Sequence, residues 1–191
     1  MKASLALVLM AVAACGYHLA GNGPAIPADA HTISIHLFRN HTRERGLQVP
    51  LRLAIEEEFR RQGTLRIVPD GEGDLELTGD IRRLASVPVA FSATDEAVQY
   101  QSTITIGMHL VERATGRIIQ ETPTLQESQD FGAESGVIIS SSPHFQRGTM
   151  NARDLPDLSN VQLGETRRRA ALRDLLDVLA RDVYQHAMEG F

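Results

Sequence analysis

The chain has 191 residues, 42% apolar and 23% charged, the composition of one ordinary globular domain that buries a core without metals or disulfides. Its formal charge of −5, from 19 basic and 24 acidic side chains, excludes bulk nucleic-acid binding, which needs a net basic surface. One cysteine excludes an internal disulfide, and 5% aromatics with no Trp exclude an aromatic stacking platform.

That cysteine has a specific setting. Lys2, the apolar run Leu5 to Val12 and the small pair Ala13-Ala14 ahead of Cys15 have the layout of an export signal. The run is far short of the roughly 20 residues that a permanent membrane-spanning helix needs. Val12-Ala13-Ala14-Cys15 resembles the lipobox of bacterial lipoproteins, in which the thiol is acylated, the chain is cut just before the cysteine, and the new amine is acylated too. Cysteine suits the step because its thiolate is the nucleophile that takes the acyl-bearing group. Two or three acyl chains, at about 0.8 kcal/mol per buried methylene, make a stable anchor. Gly16 follows, with no Asp there to suggest retention at the inner membrane. The expectation is a signal peptide over 1–14, lipidation at Cys15, and a mature chain held on the periplasmic side of the outer membrane.

Gly21 to Ala30 carries turn residues and no apolar period, so residues 15–30 read as a lipid-anchored linker and 31–191 as a single α/β domain. His31 to Phe38 alternates, with Ile33, Ile35 and Leu37 on one face, and predicts a first strand. Between Gly46 and Gly63, Leu51, Ala54, Ile55 and Phe59 form the apolar stripe of an amphipathic helix, with Pro50 in its first turn and Gly63 at its end. Leu65, Ile67, Leu75, Leu77 and Ile81 predict a second strand region, interrupted over Pro69 to Gly73, and the apolar phase then slips before Leu84. A bulge near Arg82-Arg83 accounts for that slip. Val98 to Leu110 alternates cleanly as a third strand. Thr115-Gly116 supplies a hairpin turn, and Arg117 to Glu127 returns as a fourth strand, where Pro123 marks a sheet edge.

Ser128 to Ser159 shows no sustained period and predicts a long irregular connection. A closing helix from about Val161 to Met188 carries Leu172, Leu175, Leu176, Leu179 and Val183 as one stripe, an Asp177–Arg181 pair at i,i+4, and a capping box from Ser159 and Gln162. The expected fold is α+β: a two-layer sandwich in which a four-stranded mixed sheet carries both helices on one face, with the first strand, helix and second strand forming a right-handed crossover.

Cys15-Gly16-Tyr17-His18-Leu19, the Pro27 spacer, the run Ile33 to Thr42, the helix ending Glu57-Glu58-Phe59, and Tyr100 opening a long strand together resemble the LptE family of lipopolysaccharide-assembly lipoproteins. The resemblance implies a periplasm-facing lipoprotein without catalysis, which plugs the lumen of the large outer-membrane β-barrel LptD and works with it to place lipopolysaccharide in the outer leaflet. It also implies basic residues that meet lipid A phosphates. Arg82, Arg83, Arg113 and Arg117 are the candidates, since they are expected beside strand ends and turns and arginine grips phosphate in a bidentate way.

Other chemistries fit the residues less well. Ser140-Ser141-Ser142 near His144 would suggest a periplasmic hydrolase, yet no Gly-x-Ser-x-Gly turn is present. No histidines stand at the i,i+4 spacing of a zinc site, so neither metal nor cofactor is expected. A lipoprotein subunit of another envelope transport or assembly complex shares the anchor and remains the alternative. The polar face of the third strand, Gln99 to His109, reads as a wet sheet face or as a surface against a polar barrel wall.

Overall fold

A computed structural model describes residues 26–93, 95, 97–132 and 155–189, with 155–164 and 189 described by backbone alone. In chain order the elements are β1 (Thr32–Ile35), β2 (Arg39–Asn40), α1 (Gln48–Gln62), β3 (Arg66–Ile67), β4 (Leu75–Phe91), β5 (Ala97–Glu112), β6 (Arg117–Gly132) and α2 (Leu155–Glu189). The signal, Cys15, Ser140, Ser141, Ser142 and His144 lie outside the described residues.

The α+β class and the mixed sheet stand as expected, and the strand count does not. The sheet has six strands in the order β3-β1-β4-β5-β6, with β2 also on β4. β1 pairs in parallel with both β3 and β4, whereas β4, β5 and β6 form an antiparallel meander. The expected second strand region is thus two strands on opposite sides of β1. The chain around Gly73 crosses closely beneath β1, and a Cβ there would lie 2.5 Å from the Ser34 nitrogen.

Local rules explain the elements. Leu51, Ile55 and Phe59 of α1 are buried at helical spacing, Pro50 sits in its first turn, and Gly63 ends it at φ 66°, a conformation costly for any residue with a Cβ. The apolar slip in β4 is a register shift between Ile81 and Arg83, as the sequence pattern demands. A second shift, between Ile106 and Met108, sets two β6 residues, Pro123 and Thr124, opposite Gly107. Pro123, which cannot donate to the ladder, is placed where no ladder bond is required of it.

Two expected boundaries are corrected. β6 runs on to Gly132, because the polar Ser128, Gln129 and Asp130 pair with β5 and Phe131 stacks on Tyr100. α2 starts at Leu155, so Ser159 lies inside the helix and is not its cap. The Asp177–Arg181 ion pair is also replaced: Arg181 Nε donates to the backbone carbonyl of Asp177 at 3.3 Å.

The core is one cluster drawn from both helices and the sheet, including Ile33, Ile35, Leu77, Ile106, Met108 and Leu110 with Leu51, Ile55, Phe59, Leu175, Leu179 and Val183. Each such side chain contributes about 1.5–3 kcal/mol on burial. Phe59 meets Tyr184 edge to face at 5.0 Å, joining α1 to α2, and Tyr184 shares a 2.5 Å hydrogen bond with Thr64. Ile26 and Ala30 already pack against the cluster. Among the described residues no helix is long and apolar enough to cross a membrane.

Candidate functional site

Alternation along β4, β5 and β6 sends most apolar side chains to the cluster and the remaining set, mainly polar but with exposed Val87 and Ile118, to the opposite sheet face. On that face β5 and β6 satisfy one another: Gln99 and Gln101 donate to Asp130 at 3.1 and 3.0 Å, and Thr103 meets Ser128 at 2.8 Å. The result is a polar, internally hydrogen-bonded surface. The polar set on Gln99 to His109 that the sequence identifies is therefore a sheet face shared with β6.

The bulge in β4 supplies this face with arginines. Ile81 faces the cluster and Leu84 packs against it, so the two residues between them, Arg82 and Arg83, are both left for the other side. Arg83 pairs in register with Thr105. Arg82 lies across β5 over Gly107, where a Cβ would come within 2.6 Å of its Nη2. Gly107 is the gap that lets the guanidinium lie flat on the sheet.

The four candidate arginines are not one cluster. Arg82 and Arg83 sit inside β4, which corrects their expected place beside a strand end. Arg113 and Arg117 flank the β5–β6 turn, five residues or about 17 Å further along β5. Their company differs too. Arg113 has Glu76 at 3.6 Å and Arg117 has Glu112 at 3.5 Å, whereas neither Arg82 nor Arg83 has a carboxylate within 4.0 Å among the described residues. The β4 pair therefore offers unneutralised positive charge, and the turn pair does not.

A second group on the same face was not legible in the sequence. Thr78 of β4 pairs with His109 of β5, His109 pairs with Glu121 of β6, and His36, just after β1, donates its N–H to the Leu77 carbonyl beside them. Only the cross-strand register brings these residues together. At the start of the sheet, Asp74 Oδ2 accepts from the His31 and Thr32 backbone N–H groups at 3.0 Å and from the Thr32 hydroxyl at 2.7 Å. The His31 backbone donor and the Thr32 hydroxyl hold its carboxyl below the usual range. Where β6 meets α2, burial pushes the Glu127 carboxyl up to about 7, helped by Asp182, whose nearby carboxylate accepts from the protonated form and repels the ionised one.

No group of three metal-ligating side chains exists among the described residues. With a polar sheet face and arginines that lack a carboxylate partner among those residues, the arrangement is suited to holding a partner. The family model for LptE, lipopolysaccharide-assembly, matches residues 30–187. The chain belongs to the LptE family. This is a non-enzymatic lipoprotein family of lipopolysaccharide assembly. A solved Xanthomonas campestris protein has the same fold at TM-score 0.52 and 14% identity, covering 88% of this chain and 90% of that one. A minor lipoprotein of Acinetobacter baumannii is similar at TM-score 0.49 and 12% identity, over 83% and 90% of the two chains. No curated protein matches this LptE chain in sequence.

Proposed function

We propose that this LptE-family chain is exported by the signal over 1–14, acylated on Cys15, and held through a short linker on the periplasmic side of the outer membrane. There its domain seats inside an LptD-like β-barrel and helps deliver lipopolysaccharide to the outer leaflet. The observation that carries the reading is the family match across 30–187, nearly the whole described domain. The sheet supports it: the face turned away from the hydrophobic cluster carries a hydrogen-bonded polar row from β5 and β6 beside the unpaired Arg82 and Arg83, suited to lie against a hydrated barrel wall. Arg82 and Arg83 are the residues this reading assigns to lipid A phosphates, because they lack a carboxylate partner and guanidinium binds phosphate with paired donors.

Affinity capture of the tagged full-length chain from detergent-solubilised outer membranes tests the proposal. A large β-barrel recovered at near-equal stoichiometry is the expected result. Recovery alone, or with subunits of an inner-membrane transporter, overturns the barrel assignment in favour of another envelope complex. Cys15→Ala is expected to lose the acyl mass and release the chain from membranes, and a wild-type chain with an unmodified thiol would overturn the anchor.

A further inference from the structure

On the sheet face opposite the hydrophobic cluster, His36, Leu37, Arg39, Thr78, Gly79, Asp80 and His109 line a cleft of about 400 Å³. Two of its imidazole nitrogens, His36 Nε2 and His109 Nδ1, are shut off from solvent and have no hydrogen-bond partner. Each nonetheless faces a carboxylate just beyond hydrogen-bond range: His36 Nε2 is 3.9 Å from Glu76, and His109 Nδ1 is 3.7 Å from Glu121. A buried imidazole nitrogen without a partner is costly as it stands, and one protonated opposite a carboxylate makes a charge-assisted bond after closing by less than 1 Å.

We infer that His36 and His109 form a proton-operated latch, in which mild acidification joins His36 to Glu76 across β1 and β4 and His109 to Glu121 across β5 and β6, reinforcing strands that are already paired and adding positive charge to this face. Histidine is the side chain suited to the task, since it changes charge between about pH 5 and 8. The surrounding charges act on both rings. His36 faces Glu76 of β4 and, through Nδ1, Asp70 at 3.9 Å in the segment after β3. Behind these stand Arg52 of α1, 3.2 Å from Asp70, and Arg113 of the β5–β6 turn, 3.6 Å from Glu76. His109 faces Glu121 of β6, and no cation lies within 4.0 Å of that carboxylate among the described residues apart from the histidine itself. At the edge of the cleft Asp80 is held by His41 at 3.2 Å, and Arg39 of β2 lines the wall. Arg52 and Arg113, which already share the carboxylates of His36, and Arg39 oppose the new charge at that ring, whereas His109 faces Glu121 without a competing cation within 4.0 Å among the described residues and is the stronger half of the latch.

The latch is a property of the chain itself and is tested without a partner. In the full-length ¹⁵N-labelled chain in detergent micelles, imidazole N–H signals are recorded from pH 8 to pH 5, with His36→Gln and His109→Gln giving the assignments. The expected result at low pH is an N–H on His36 Nε2 and on His109 Nδ1 that is protected from exchange with water, in contrast to exposed His31. Glu121→Ala is expected to remove the protection at His109 and leave that at His36, and Glu76→Ala to do the reverse, so each variant carries its own control for folding. Rapidly exchanging N–H groups at both rings, or protection that survives loss of the facing carboxylate, would overturn the latch.

Discussion

Arg168 of α2 binds Glu44, 124 residues earlier in the chain, through both ends of its guanidinium, with Nη1 at 3.2 Å and Nη2 at 3.1 Å from Oε2. Glu44 lies in the loop before α1, so the pair ties that loop to the second helix. The side chain is only 15% exposed, and the same guanidinium also meets Glu165 at 3.1 Å. Burial works against its charge, but Glu165 and Glu44 outweigh it and raise the pKa above the ordinary value for arginine. Arg168→Met is expected to lower stability by about 2 kcal/mol, since it strands the Glu44 carboxylate and leaves Glu165 with Arg169 alone. Glu44→Gln is expected to cost less, about 0.5–1 kcal/mol, because Arg168 keeps Glu165. Urea unfolding of the purified variants reads both, and equal losses would show that the tie to Glu44 is all the arginine supplies and that its contact with Glu165 adds nothing.

Glu127 and Asp182 give the β6–α2 contact a pH dependence of known sign. The folded-state pKa of Glu127 is about 7, above its ordinary value of 4.5, chiefly through burial and then through Asp182. A raised carboxyl pKa contributes stability that is fully present below about pH 4.5 and is lost as pH rises through 7. Glu127 is only partly buried, so screening reduces the effect to about 1 kcal/mol. Thermal melts of wild type and Glu127→Gln between pH 4.5 and pH 8 are expected to diverge as pH rises, with Gln the more stable at pH 8. Parallel curves would show that the two carboxylates do not interact.

Two glycines on facing strands separate folding from function. A Cβ on Gly79 would lie 2.4 Å from the Gly107 carbonyl oxygen and 2.5 Å from the Phe38 ring, and backbone and a buried ring have little freedom to move. Gly79→Ala is expected to cost about 3 kcal/mol. At Gly107 the nearest obstacle is the end of the Arg82 side chain, with the Pro123 carbonyl next at 3.0 Å. Gly107→Ala is expected to cost about 1 kcal/mol while lifting the guanidinium off the sheet. Denaturation midpoints of the two variants check the order, and a larger loss at Gly107 would contradict the packing described.

What was readable in the sequence is what short-range chemistry decides. Gly63 at the end of α1, the phase slip at Arg82-Arg83 and the clean alternation of β5 depend on neighbours within a few residues, and the structure has all three. β2 is two residues long and carries no period of its own, so it was invisible, and the equally short β3 was read through Leu65 and Ile67 as one strand region with β4, because only the pairing with β1 separates them. The polar end of β6 is a strand because β5 pairs with it, and the start of α2 has no apolar stripe to announce it. The site divides in the same way. Arginine type and position could be read directly, but the split between the paired Arg113 and Arg117 and the unpaired Arg82 and Arg83 depends on Glu76 and on strand register. The row His36, Thr78, His109 and Glu121 draws on four separate segments, and no local pattern records it.

That split between arginine pairs makes the proposed lipid contact measurable. Arg82→Ala and Arg83→Ala remove unneutralised charge, and each lost charge-assisted bond to a phosphate is worth about 1.5–3 kcal/mol, or roughly ten- to a hundredfold in affinity. Arg113→Ala and Arg117→Ala remove side chains already engaged with Glu76 and Glu112, so their expected effect on lipopolysaccharide binding is within about twofold. Gly107→Ala is expected to follow the first pair, by displacing Arg82 without deleting it. Titration of each purified variant with lipopolysaccharide, at low and at physiological salt, measures the difference. Binding through Arg82 and Arg83 weakens as salt rises, because the pair is exposed to screening. Equal losses at all four arginines would move the contact from the bulge in β4 to the charge of the domain as a whole.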